Sequence, residues 1–116
     1  MTVAQFRKIA LSLPESEERS HMAHPDFRVG GKIFATLGSP DTGWGMVKLT
    51  PEQQRVFLQA HPKMFLPAQG AWGRQGSTLV RLKDADAEVI AEAMKAAWMG
   101  RAPKSLLGRS PFAHGI

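Results

Sequence analysis

Apolar and polar positions follow two rhythms along this chain. Between Val3 and Leu13 the apolar residues Val3, Phe6, Ile9, Ala10 and Leu13 recur at helical spacing, with Gln5, Arg7 and Lys8 between them. That spacing predicts an amphipathic helix with a buried stripe. Thr2 stands at the cap position and Pro14 closes the segment. Past the acidic start at Glu15 the rhythm shortens, and residues up to Met22 read as a short edge strand broken by His24-Pro25. From Phe27 to Leu37 two strands fold back on each other around Gly30-Gly31, a pair that accepts the positive φ values of a two-residue hairpin turn. Strict alternation on the return strand sends Ile33, Ala35 and Leu37 to one face and Lys32, Phe34 and Thr36 to the other.

The turn-rich run from Gly38 to Gly43 leads into a further strand, Trp44 to Leu49. Thr50-Pro51-Glu52-Gln53 is a helix start, with threonine as cap and proline at the first helical position. That helix is expected to reach His61 and to bury Val56, Phe57 and Ala60, with Pro62 ending it. Lys63 to Leu66 is a short extended piece, and Gly70 to Gly76 a glycine-punctuated loop around Trp72. In the strand Ser77 to Leu82, Thr78, Val80 and Leu82 share one face and Leu79 and Arg81 the other. Asp84 or Asp86 caps a helix from Ala87 to Met99, whose pairs Val89-Ile90, Ala93-Met94 and Ala97-Trp98 repeat every four residues. Gly100 is expected to end it and Pro103 to begin a final turn.

The order α-β-β-β-β-α-β-α, with connections too short for parallel crossovers in the first half, predicts an α+β fold. The sheet is expected to be twisted and mainly antiparallel, with helices packed on one face. Residues 1–100 form a single domain in this reading, and 101–116 a basic, loosely ordered tail. At 116 residues the chain can bury a core without staples.

Composition narrows the chemistry. There is no cysteine, which removes disulfides and thiolate nucleophiles and fits a reducing cytoplasm. No apolar run approaches the roughly 18–20 residues that span a bilayer. Fifteen basic residues against ten acidic ones leave a formal charge of +5, a balance that favours anionic partners. His21, His24 and Asp26 have the composition of a metal site, but in an extended segment positions three apart point to opposite faces, so no metal is assigned. The glycine loop lacks the lysine of a phosphate-binding loop and leads into a strand, so nucleotide hydrolysis is excluded as well. Arg74 beside Trp72 would suit clamping a phosphate or stacking on a base, whereas the structural alternative has Trp72 covering the core edge. No Gly-x-Ser-x-Gly elbow and no buried carboxylate pair is visible, so no enzymatic activity and no cofactor are assigned.

Four stretches together carry a family resemblance. They are His24-Pro25-Asp26-Phe27-Arg28-Val29-Gly30-Gly31-Lys32-Ile33-Phe34-Ala35, the helix ending Ala10-Leu11-Ser12-Leu13-Pro14, the joint Lys48-Leu49-Thr50-Pro51-Glu52, and Gly70 to Leu82. In order and spacing they resemble the MmcQ/YjbR family of small bacterial proteins, over roughly residues 5–100. The resemblance implies a compact α+β fold with helices on one side of an antiparallel sheet, and the family's label of DNA-binding protein. Many members place an aromatic where this chain has Ser77, so no stacking role is carried to that position.

Charge and resemblance converge on a non-enzymatic module contacting DNA phosphates through a basic sheet face, with low sequence specificity. Arg28, Lys32, Lys48, Arg74 and Arg81 are the expected phosphate contacts and Trp72 the stacking residue. The alternative is a protein-interaction or adaptor domain, perhaps a homodimer, using Phe34, Met46 or Trp44 as exposed apolar contacts.

Overall fold

The structure, a computed structural model, describes residues 1–108. Helix α1 (Val3–Leu11) opens on a capping box in which Thr2 and Gln5 each satisfy the other's backbone N–H. Four strands follow: β1 (Glu17–His21), β2 (His24–Val29), β3 (Lys32–Leu37) and β4 (Trp44–Lys48). Helix α2 (Pro51–Ala60) starts on the second capping box, Thr50 with Gln53. Next come β5 (Phe65–Pro67), the short helix α3 (Gly70–Arg74), β6 (Ser77–Arg81), helix α4 (Ala87–Arg101) and a last turn of helix, α5 (Lys104–Leu107). The six strands form one sheet in the order β1-β2-β3-β4-β6-β5, antiparallel throughout.

Helix α4 lies across β3 and β4, and α1 packs against α4. Ile90, Ala93, Met94, Ala97 and Trp98 are the buried residues of α4, matching the four-residue repeat of its sequence. The ring of Phe6 rests against Gly45, where a Cβ would come within 2.8 Å of it. Trp98 donates its indole N–H to the Pro14 carbonyl and so ties α4 to the end of α1. At the far rim, Phe57 of α2 meets Phe65 of β5 edge to face, with ring centroids 5.5 Å apart. Helix α2 is otherwise shallow: Val56 and Ala60, expected inside, are exposed, and Val3 of α1 is also outside the core. Only part of each apolar stripe meets the core: on α1, Phe6 reaches Phe27 and Gly45 over the sheet, while Val3 at its start does not.

The Gly30-Gly31 turn has φ values of 58° and 80°, as a two-residue hairpin requires. The strand after it departs from strict alternation. Phe27 faces Ala35 while Arg28 faces Ile33, so Phe34 has no partner on β2. A bulge of this kind puts two residues opposite one and changes the facing of everything beyond it. Phe34 and Ala35 are both fully buried in the core, while Ile33 turns to the opposite, open face. Lys32 pairs with Val29 beside the turn, as a two-residue loop requires, at an exposed hairpin position. The expected exposure of Phe34 is therefore corrected, because alternation alone cannot foresee an inserted residue.

Two further expectations shift for local reasons. The glycine-rich run after Gln69 is a helix, α3, rather than a loop. Its glycines serve close packing. A Cβ at Gly73 would lie 1.7 Å from the Ala68 carbonyl oxygen, and one at Gly76 would lie 1.9 Å from that of Leu49. Helix α4 continues through Gly100 to Arg101, because Ala102 takes the extended geometry that precedes Pro103. Leu106 then packs back onto the core and Pro103 abuts Gly30, so the domain's packing reaches α5. Half of the expected loose tail, residues 109–116, lies outside the described residues.

The inward placement of Phe34 has a direct check. Phe34→Ala should cost about 3–5 kcal/mol in urea unfolding, the range for emptying a buried phenylalanine site; a cost near zero would return it to the outer face.

Candidate functional site

The face of the sheet opposite α1 and α4 carries the row Asp26, Thr36, Met46, Leu79 and Leu66, one from each of β2, β3, β4, β6 and β5. Over this face lies a groove of about 440 Å³, within the range of small-ligand sites. Its floor is Thr36, Met46, Ser77 and Leu79 with Ile33, its rims Met22 and His24 on one side and Ala68 and Trp72 on the other. Lys48 and His21 also line it. The groove thus crosses the strands, from the β1–β2 turn to α3.

Of the six sequence candidates, two line the groove: Lys48 and Trp72. Trp72 is 70% exposed, so the expectation that it covers the core edge is corrected. On α3 the neighbouring Gly73 is pressed against the Ala68 backbone, and this turns Trp72 outward. Lys48 is half-buried and has no carboxylate partner among the described residues. Burial, with Arg101 nearby adding repulsion, holds its ammonium below the ordinary lysine pKa. The other four candidates are dispersed. Arg28 makes a two-pronged contact with Asp26, at 2.7 and 3.0 Å. Arg81 donates to the Lys63 carbonyl at 2.7 Å and stacks over Trp44, 5.1 Å from the ring centroid. Lys32 stands at the hairpin tip, and Arg74 is exposed at the end of α3.

Three features of the site were not legible as such in the sequence. The first is Asp26, a fully buried carboxylate held by Arg28 and by Nδ1 of His21 at 2.7 Å. Those hydrogen bonds, that of Arg28 foremost, outweigh burial and hold the Asp26 carboxyl below its usual range. Only the composition His-x-x-His-x-Asp hinted at a cluster, and in the structure His21 and Arg28 hydrogen-bond the Asp26 carboxylate. Among the described residues no group of three metal-ligating side chains is assembled. The second is the turn Met22-Ala23, with φ values of 48° and 66°. Left-handed geometry costs an L-residue roughly 1–2 kcal/mol, yet here it thrusts Met22, 88% exposed, over the groove mouth. The third is Gln54 of α2, whose amide N–H groups reach the carbonyls of Gly73 and Ser77 and the hydroxyl of Thr78, fastening the junction behind Trp72.

Both strained and buried features can be tested on stability. Replacing the turn pair with Met22→Asn and Ala23→Gly should stabilise the fold by about 1 kcal/mol in denaturant, since these residues accept positive φ. Asp26→Ala should cost about 1.5–3 kcal/mol, the range for charged hydrogen bonds. Because the folded carboxyl titrates below its unfolded value, its contribution is complete above the ordinary carboxylate range and is lost as pH falls beneath it. The gap in stability between parent and variant should accordingly narrow in acid; a gap unchanged by pH would contradict the pairing.

Among known structures, the Deinococcus radiodurans protein DR2400, described with a DUF419 domain, superposes with a TM-score of 0.72. The match covers 99% of this chain and 88% of that one at 21% identity, a likeness of fold. No curated protein matches. The family model of YjbR matches residues 11–99, a span that takes in every strand of the sheet and the groove across it, and the chain belongs to the YjbR family.

Proposed function

We propose that the protein is a non-enzymatic module that binds nucleic acid, with DNA as the partner, through the groove on the open sheet face. Lys48 carries the reading. A half-buried ammonium with no carboxylate beside it weakens the fold while charged, and a ligand phosphate would relieve that cost. Trp72 offers a base-stacking surface on the same groove, worth about 1–3 kcal/mol per stacked base. The formal charge of +5 adds steering toward a polyanion. Lys32 and Arg74, exposed and without an ion pair among the described residues, are available as outlying phosphate contacts. Arg28 and Arg81 have partners within the protein and contribute less. A groove with one lysine and one tryptophan suits unstacked bases better than an intact duplex, so single-stranded DNA is the preferred form.

The rival is a protein-interaction surface, for which the exposed Met22 and Trp72 on the groove and Val56 on α2 speak. Titration of labelled single-stranded DNA at low and moderate salt separates the two. Micromolar binding that weakens steeply with salt is expected, since displaced counterions dominate the free energy. Trp72→Ala should weaken it about tenfold or more. Lys48→Met should flatten the salt dependence by about one contact and raise Tm, as removal of an unfavourably buried charge requires. Absence of binding at low salt, together with a stable dimer in light scattering, would favour the rival.

A further inference from the structure

The groove is edged by a histidine with a fixed orientation. Asp26 is ionised, and a carboxylate only accepts hydrogen bonds, so the 2.7 Å contact requires His21 to donate from Nδ1. Arg28 holds the carboxylate from the other side, so Asp26 is a fixed acceptor that orients the partly exposed imidazole. Neutral His21 must then carry its lone pair on Nε2. That atom has no hydrogen-bond partner among the described residues, and its side chain lines the groove. The charged or titratable groups around the ring are Asp26 and Arg28 on β2 and His24, which faces His21 across the β1–β2 turn.

We propose that His21 is the base-reading residue of the groove, its Nε2 accepting a hydrogen bond from an N–H on the edge of a bound base, with Asp26 and Arg28 as positioning residues. The inference rests on the nucleic-acid reading above and sharpens it. Contacts through Lys48 carry no sequence information, whereas a directed acceptor at one end of the groove imposes a base requirement at one position. A base there must present a donor toward His21.

Thymine suits the test because its base carries a single N–H donor, at ring N3. A short oligothymidylate and its N3-methylated counterpart differ in that donor. The parent protein should bind the methylated strand about three- to tenfold more weakly, the effect of one lost hydrogen bond. His21→Ala should bind both strands alike, at the level of the methylated one. A purely structural role would weaken both strands equally in the variant. Equal binding of the two strands by the parent overturns the inference and leaves the nucleic-acid reading standing. If neither strand binds, the nucleic-acid reading fails and the inference, which rests on it, falls with it. Ring-nitrogen NMR of His21 in the free protein should place the proton on Nδ1, and the opposite tautomer overturns the inference whatever binds.

Discussion

Between Ile33 and Ala35 strand β3 carries one residue more than β2 can pair, and the facing of the whole hairpin follows from that insertion. Phe34 joins Ala35 and Leu37 against α4, so the core receives a full aromatic ring that alternation would have left outside. Ile33 is released to the open face, where it meets Thr36 and Met46 in the floor of the groove. Lys32, on the turn side of the bulge, keeps the pairing with Val29 that a two-residue loop imposes. A single unpaired residue thus adds an aromatic ring to the core on one side and an isoleucine to the groove floor on the other. Bulges strengthen local twist, and a coiled sheet is what lets one groove run across strands that lie about 4.8 Å apart.

Electrostatics on the open face are more settled than a net charge of +5 conveys. Asp26 sits buried at the centre of a short chain, with Arg28 and His21 each taking one side of its carboxylate. Breaking such a chain is expensive, since a stranded partner is left near an apolar floor. Arg81 is similarly occupied with the Lys63 carbonyl, Asp84 and Trp44. What remains open to a ligand is narrower and more pointed: Lys48, the face of Trp72, and the free edge of His21.

The chain accepts local costs around this groove. Met22 and Ala23 adopt left-handed geometry that glycine or asparagine would take more readily, and Lys48 keeps its charge in partial burial. Trp72 leaves most of its surface in water. Elsewhere the local rules are mostly obeyed, in two capping boxes, a glycine pair at positive φ and an α4 stripe that repeats every four residues, with Glu15 at φ 51° an exception after α1. Two of the three non-glycine residues at positive φ among the described residues thus belong to the turn at the groove's rim.

Most of the architecture was legible along the chain because it depends on short-range chemistry. Thr2 and Thr50 start helices, Pro14 and Pro62 end them, and Gly30-Gly31 turns a hairpin through backbone preferences that need no knowledge of the rest. The face shared by Thr78, Val80 and Leu82 was likewise visible, since an unbroken strand alternates strictly. Lys48 and Trp72 were readable as candidates by residue type, and their groove positions bear on the same hypothesis. Tertiary structure alone decided the facing of Phe34, the outward turn of Trp72 and the partners of Arg28 and Arg81. Each depends on which groups meet across the sheet, and residues distant in sequence settle that. His21 is the clearest instance: its composition hinted at a metal, and only the antiparallel pairing of β1 with β2 brought it to Asp26.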